Sequence, residues 1–496
     1  MRNRLSRRLL ISSVLASLAS ASLANAPASS PRPVSRPQAG AKKSSSGAQA
    51  LIEQANLGGD ISYAVADVES GLLLEASSAK RGLPPASVTK VLTALYALDI
   101  LGENYRFQTR LVATGPVVDG VIKGDLVLVG GGDPELDTTD LANMAKKLKE
   151  KGILKVEGKL RSYGGALPFV PMIDPDQPDH VAYNPAVSAL NLNFNRVHFE
   201  WKRSGKDYNV TMEARTKGYR PAVKSARMRI ETRSGPVFIY RDEGDHDSWN
   251  VARKALGARG ARWLPVRKPE RYAAEVFARL ANVEGIELSV GNARKSAPGG
   301  IILLRRQSAP LVEILRGMLK FSTNLTAEVV GLHATLKRSG RPMSLRESAE
   351  EMNAWANQTL GVPDAGFADH SGLSEASRMS AAGMAMVLAR VHSDGRLKPI
   401  LKRFDLRNEQ GGIDRKNPVE VAAKTGTLFF VSALAGYASG PKKQELAFAI
   451  FTANDQLRGK VDTKNDTRPR GASNWNRRSR RLQQKLIEFW VNAYTT

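Results

Sequence analysis

Both ends of this chain carry strand signals that neither end can satisfy alone, and this constrains the fold more than any other feature. Near the N-terminus a short helical pattern at 48–57 stops at Gly58-Gly59. A period-two run at 61–68, a turn at Glu69-Ser70-Gly71 and a second run at 72–76 follow it. Near the C-terminus, runs at 419–430, 433–438 and 446–452 read as three successive strands, the last two joined at Gly440-Pro441. A helical stripe of Leu482, Leu486, Ile487, Phe489 and Trp490 then closes the chain. Strict alternation marks strands that turn one face to a core. An isolated hairpin is barely stable in water, so two strands from one end and three from the other predict a single antiparallel sheet with helices over its faces. The expected fold class is therefore α+β.

Between these ends the pattern changes. Pro84-Pro85-Ala86 leads into Ser87, and apolar residues at Val88, Val91, Leu92, Leu95, Leu98 and Leu101 give one buried helical stripe that stops at Gly102. From about 113 to 300, strand-like runs at 124–129, 196–201, 228–232 and 237–240 mix with helical patterns around Leu141, Met144 and Leu148 and from Pro269 onward. This stretch reads as inserted mixed α/β modules. A helix carrying Leu311, Ile314, Leu315 and Met318 then runs up to Phe321-Ser322-Thr323-Asn324. The expected organisation is a leader at 1–26, a flexible basic linker at 27–49, one domain made of 50–112 plus 301–496, and the insertion at 113–300.

Compartment and charge narrow the chemistry. Arg2, Arg4, Arg7 and Arg8 precede an apolar, small-residue stretch ending in Ala24-Asn25-Ala26, the pattern of a secretory signal peptide cleaved after Ala26. An exported protein, periplasmic in a cell with two membranes, is expected, and no other segment approaches transmembrane length. The formal charge is +25, of which four charges lie in the leader, four in 27–49 and a net seven between 456 and 481, leaving about +10 on the folded body. Export argues against nucleic acid as the anionic partner and favours anionic envelope surfaces. The chain has no cysteine, which excludes a thiol nucleophile, cysteinyl metal sites and disulfides. None of its six histidines lies three or four residues from another, so neither a metal nor a cofactor is expected.

Three motifs remain. Ser87-Val88-Thr89-Lys90 opens a helix, placing serine and lysine one turn apart on one face. Ser322-Thr323-Asn324 follows a helix, and Lys424-Thr425-Gly426-Thr427 lies on a predicted strand whose Gly426 allows close approach to its backbone. Each is weak alone; together they describe an acyl-transfer site. Serine becomes a nucleophile when a base takes its proton, and a lysine does so only when neutral, a state favoured by burial and by a second cation. Lys424 is the candidate second cation to Lys90. Ser322 can relay a proton to a departing amine, and Asn324 can hold a substrate amide or the lysine. Lys424, Thr425 and Thr427 can form a cationic, hydroxyl-rich shelf for a carboxylate. Backbone amides of Ser87 and Thr427 can hold the oxyanion.

These motifs resemble the Ser-x-x-Lys, Ser-x-Asn and Lys-Thr-Gly set of penicillin-binding proteins and serine β-lactamases. The 235 residues between Ser87 and Ser322 exceed what compact β-lactamases require. Further matches are Gly131-Gly132-Asp133-Pro134, Asn193-Phe194-Asn195-Arg196 and Asp369-His370-Ser371-Gly372-Leu373. The chain thus resembles the class C low-molecular-mass penicillin-binding proteins, D-alanyl-D-alanine carboxypeptidase/endopeptidases with domains inserted between the first two motifs. The resemblance implies a transpeptidase/β-lactamase-like domain with Ser87 as acylated nucleophile, Lys90 as base, and Ser322 and Asn324 as the second motif. Lys424, Thr425, Gly426 and Thr427 form the implied substrate-binding strand. It implies peptidoglycan stem peptides as substrates and β-lactams as covalent inhibitors. Thr323 stands where many relatives have Asp. Two other readings of the same residues are a β-lactamase or esterase, differing in how fast the acyl-enzyme is hydrolysed, and a non-catalytic cell-wall binding protein.

Overall fold

The computed structural model describes residues 39–495 apart from 409 and 443. The leader at 1–26 and most of the linker lie outside the described residues. The first helix, Ala39–Ala55, begins inside the expected linker, nine residues ahead of the helical pattern at 48. Among the described residues no helix is long and apolar enough to cross a membrane.

The expected sheet forms from both chain ends. Its strand order is Lys402–Phe404, Glu420–Leu428, Val431–Ser439, Glu445–Ala453, Asp60–Asp67 and Leu73–Ser77, with every neighbour antiparallel. Lys402–Phe404 was not legible as a strand, since three residues are too few to show alternation. Alternation divides the sheet into two unlike faces. Tyr63, Val65, Leu434, Phe448 and Ile450 pack against Leu482, Leu486, Ile487 and Trp490 of the C-terminal helix Ala472–Tyr494. The other face is built of small residues, including Ala64, Ala66, Ala433, Ala435, Ala447 and Ala449. Their size lets the helix Ala381–Val391 and the turn Ala86–Val88 come close to the sheet.

Behind that face lies Thr89–Ile100, the helix of the first motif. One buried stripe was expected; instead every residue from Thr89 to Leu98 is buried. Helices Leu311–Phe321, Asn324–Ser339 and Leu345–Leu360 all contact it, so its polar residues also need partners. Thr93 Oγ1 donates to His370 O at 2.6 Å, and Tyr96 OH lies 3.1 Å from Thr335 Oγ1. A helix enclosed on all sides is a rigid platform for what projects from its end.

The long middle of the chain has its own core. A four-stranded mixed sheet runs Ile301–Gln307, Gln108–Ala113, Leu126–Val129 and Leu160–Tyr163, so the chain leaves toward the insertion and returns from it on adjacent strands. Helices Thr138–Glu150 and Pro269–Val283 join this core, with three further three-stranded sheets. Two of the sequence motifs are structural here. Gly131 admits the Gln108 carbonyl, which would lie 2.2 Å from an added Cβ, and Gly132 (φ +81°) leaves room for the His333 ring. Asn193, Phe194 and Asn195 all take left-handed backbone angles (φ 51°, 58° and 49°), held by the Asn195 amide bonding to Leu192 N, Ala186 O and Asn191 Oδ1.

Candidate active site

The three motifs converge at the end of the enclosed helix. Ser87 lies in the single turn Ala86–Val88, where Ala86 has a left-handed φ of 45°. Ser322 ends the helix Leu311–Phe321 in the left-handed conformation (φ 58°, ψ 42°), and Asn324 begins the next helix. Non-glycine residues adopt this conformation at a cost of about 1–2 kcal/mol, and such strain collects where surrounding contacts hold functional groups in place. Lys424 and Gly426 lie on the strand Glu420–Leu428.

Ser87 is half-buried while Lys90 is fully buried, with Lys90 Nζ 3.0 Å from Ser87 Oγ. The same Nζ donates to Asn324 Oδ1 at 2.8 Å and to Ser371 O at 2.7 Å. These two acceptors orient two N–H bonds, so a neutral Lys90 aims its lone pair at the Ser87 hydroxyl. Asn324 Nδ2 in turn donates to Tyr183 O at 2.9 Å, which ties the insertion to the site. Apolar residues of the insertion, Leu167, Ile173 and Val187, pack on Leu325, Val329 and Leu332 of the helix that Asn324 begins.

Lys424 is sealed beneath the site, donating to Ser322 Oγ at 2.8 Å and to Thr425 O at 2.7 Å. Thr425 and Thr427 are exposed. Alternation along the strand therefore separates the expected shelf: the threonines stand open, and Lys424 reaches Ser322 from the opposite side of the strand. Lys402–Phe404 pairs with Ala423, Ala422 and Val421 and then stops, leaving no described strand beside the outer edge from Lys424 onward. An extended peptide can add to such an edge. Gly426 admits the turn of Ser87 itself: a Cβ there would lie 2.5 Å from Pro85 O and 3.0 Å from Ala86 Cβ.

Burial lowers Lys90, to about 8, and the carboxyls of Glu328 and Asp369 pull the other way. Lys424 is held well below the usual lysine range, by burial and then by the charges of Lys90 and Lys402, so the two lysines oppose each other's protonation. Glu328 was missed at the sequence level, and Asp369 and Ser371, though part of a matched motif, were given no role at the site. Glu328 could have been noticed, since it lies four residues after Asn324 on the same helical face. Asp369 accepts from Gly372 N and Ser374 N, shaping the loop that presents Ser371 O to Lys90. Among the described residues no cluster of potential metal ligands occurs.

The model of the D-Ala-D-Ala carboxypeptidase 3 (S13) family matches residues 46–472. The D-alanyl-D-alanine carboxypeptidase DacB of Haemophilus influenzae is 23% identical over 444 residues, 84% of this chain and 90% of that protein. A D-alanyl-D-alanine carboxypeptidase of Actinomadura sp. (strain R39) is 28% identical, over 81% of this chain and 79% of its own. In three dimensions the crystal structure of penicillin binding protein 4 (dacB) from H. influenzae superposes with a TM-score of 0.72 at 20% identity, covering 90% of this chain and 98% of that one.

Proposed function

This chain belongs to the D-Ala-D-Ala carboxypeptidase 3 (S13) family and is a serine-type D-alanyl-D-alanine carboxypeptidase of the class C penicillin-binding kind, and we propose that Ser87 is its acylated nucleophile. Ser87 Oγ attacks the carbonyl between the two D-alanines of a peptidoglycan stem peptide while Lys90 takes the hydroxyl proton. Backbone amides of Ser87 and Thr427 receive the oxyanion. The proton returns from Lys90 through the Ser322 hydroxyl, which Lys424 Nζ holds at 2.8 Å, to the departing D-alanine nitrogen, and Thr425, Gly426 and Thr427 receive the substrate. Water then resolves the acyl-enzyme. The same site is suited to cutting a D-alanyl cross-link to meso-diaminopimelate. The insertion at 113–300 serves as one wall of the site, and the body at 50–112 plus 301–496 carries the chemistry.

The observation that supports this reading best is the 3.0 Å contact between Ser87 and a fully buried lysine whose other two bonds go to neutral acceptors. We place the enzyme outside the cytoplasm, in the periplasm, on the strength of the leader pattern. Exposed Arg477, Arg481 and Lys485 on the C-terminal helix fit it to anionic envelope surfaces. Incubation with a fluorescent penicillin tests the assignment. A stable covalent adduct on Ser87, absent from Ser87→Ala, is expected; wild-type labelling of Ser87→Ala would overturn it, and rapid penicillin turnover would point to a β-lactamase.

A further inference from the structure

Among the described residues no carboxylate is in contact with Lys90. Its three partners, Ser87 Oγ, Asn324 Oδ1 and Ser371 O, are all neutral. As the bond from Ser87 Oγ to the substrate carbonyl forms, the Oγ–H bond breaks and its proton goes to Nζ; it leaves again for the departing amine nitrogen as the C–N bond breaks. In between, a full positive charge sits where water does not reach, an unfavourable state unless an opposite charge faces it.

Two buried carboxyls are near. Asp369 is fixed by its loop, with Oδ1 accepting from Gly372 N at 2.5 Å and Oδ2 from Ser374 N at 2.7 Å. Glu328 is wholly buried one helical turn beyond Asn324. Its Oε2 accepts from His370 N at 2.9 Å, in the loop whose next carbonyl holds Lys90. We propose that Glu328 is a positioning residue for the reaction: its carboxylate balances the Lys90 ammonium formed as Ser87 attacks, and so sets the pH range over which Lys90 works as base. Glu328 touches no substrate and exchanges no atom; it acts on Lys90 through the field and through the loop 369–372.

The groups around it allow this role. Burial and then Asp369 push Glu328 up, to about 8, while the Ser371 hydroxyl, the His370 amide and Lys90 pull it back toward the anion. The His370 ring is held neutral by burial. Lys424 acts beyond Lys90, and Asp174 beyond Asp369. Lys90 and Glu328 thus titrate as a pair, and the acid limb of acylation belongs to both.

The inference rests on Lys90 as base, so Glu328→Gln and Lys90→Ala are compared with wild type in the pH profile of the penicillin acylation rate. Glu328→Gln is expected to move the acid limb to lower pH by about 1–3 units, the usual effect of removing an opposite charge from a buried site. Its plateau is expected to fall at least about tenfold as the base weakens. Glu328→Asp, which keeps the charge, moves the limb back toward wild type. A purely structural role would slow acylation at every pH without moving the limb. An unmoved limb in Glu328→Gln, with acylation lost in Lys90→Ala, overturns the role of Glu328 and leaves the base intact; undiminished acylation of Lys90→Ala overturns the base itself. If Glu328→Gln does not fold, the infrared carboxyl bands of the glutamate-labelled wild type across the acid limb decide. Ionisation of one buried glutamate there supports the proposal, and a glutamate that stays protonated throughout overturns it.

Discussion

Replacing Gly426 by alanine tests whether the substrate-binding strand and the nucleophile turn form one unit. The added methyl would lie 2.5 Å from Pro85 O, 3.0 Å from Ala86 Cβ and 3.1 Å from Ala433 Cβ, where ordinary contact begins at 3.4 Å. None of these atoms is the far end of a flexible side chain; all are fixed by backbone. The strand and the turn must therefore part by up to 0.9 Å to restore contact with Pro85 O. The neighbours of these two points are Ser87 and Thr427, whose amides are assigned to the oxyanion. A misplacement of about 1 Å near reacting groups slows a reaction by about 100-fold. Overpacking of this size destabilises by about 1–3 kcal/mol, and each kcal/mol lowers the melting temperature of a body this large by about 2–4 °C. Time-resolved labelling with a fluorescent penicillin, beside a thermal melt, separates the two effects. Gly426→Ala is expected to remain folded, melt several degrees lower and acylate about 100-fold more slowly. A folded variant that acylates at the wild-type rate would refute the claim that the glycine is there to seat the turn of Ser87.

Two further outcomes concern stability. Arg306, on the strand returning from the insertion, bonds Asp133 and lies 2.6 Å from Asp140, and Asp133 is buried. Arg306→Ala is expected to destabilise by about 3–5 kcal/mol in urea unfolding, because it strands a buried charge; recovery on adding Asp133→Asn would confirm that cause, and a loss near zero would exclude it. His333, half-buried beside Tyr105 and Phe107 with its Nδ1 out of reach of water, is lowered by desolvation to about 4. Between pH 6.5 and 4 the unfolded chain binds a proton at this residue that the native state does not, so its contribution weakens acid stability by up to about 3 kcal/mol at pH 4. Buried carboxyls such as Asp133 and Asp174 are raised and act in the opposite sense. The readout is therefore the difference between His333→Leu and wild type, which is expected to favour the variant increasingly as pH falls; a constant difference would show that His333 is not held neutral.

Much of the sheet was legible because period two is a local signal. The runs at 419–430, 433–438 and 446–452 correspond to Glu420–Leu428, Val431–Ser439 and Glu445–Ala453. Lys402–Phe404, which sets the length of the open edge beside Lys424, was not, being too short to alternate visibly. The serine helix was seen as a stripe, yet the structure encloses it, since the helices that cover its remaining sides come from distant parts of the chain.

The sequence by itself determined the identity of the reacting groups and the spacing that matters locally. Ser87 and Lys90 are three residues apart, and any helix brings them to one face. It also placed Asn324 and Lys424 on elements that could meet them. Only the tertiary structure decided what Lys90 can do, because its other partners, Asn324 and Ser371, lie 234 and 281 positions away. Whether a lysine is a cation or a base depends on its solvation and on the charges facing it. Those come from burial and from Glu328 and Asp369, brought together by packing that no local pattern encodes.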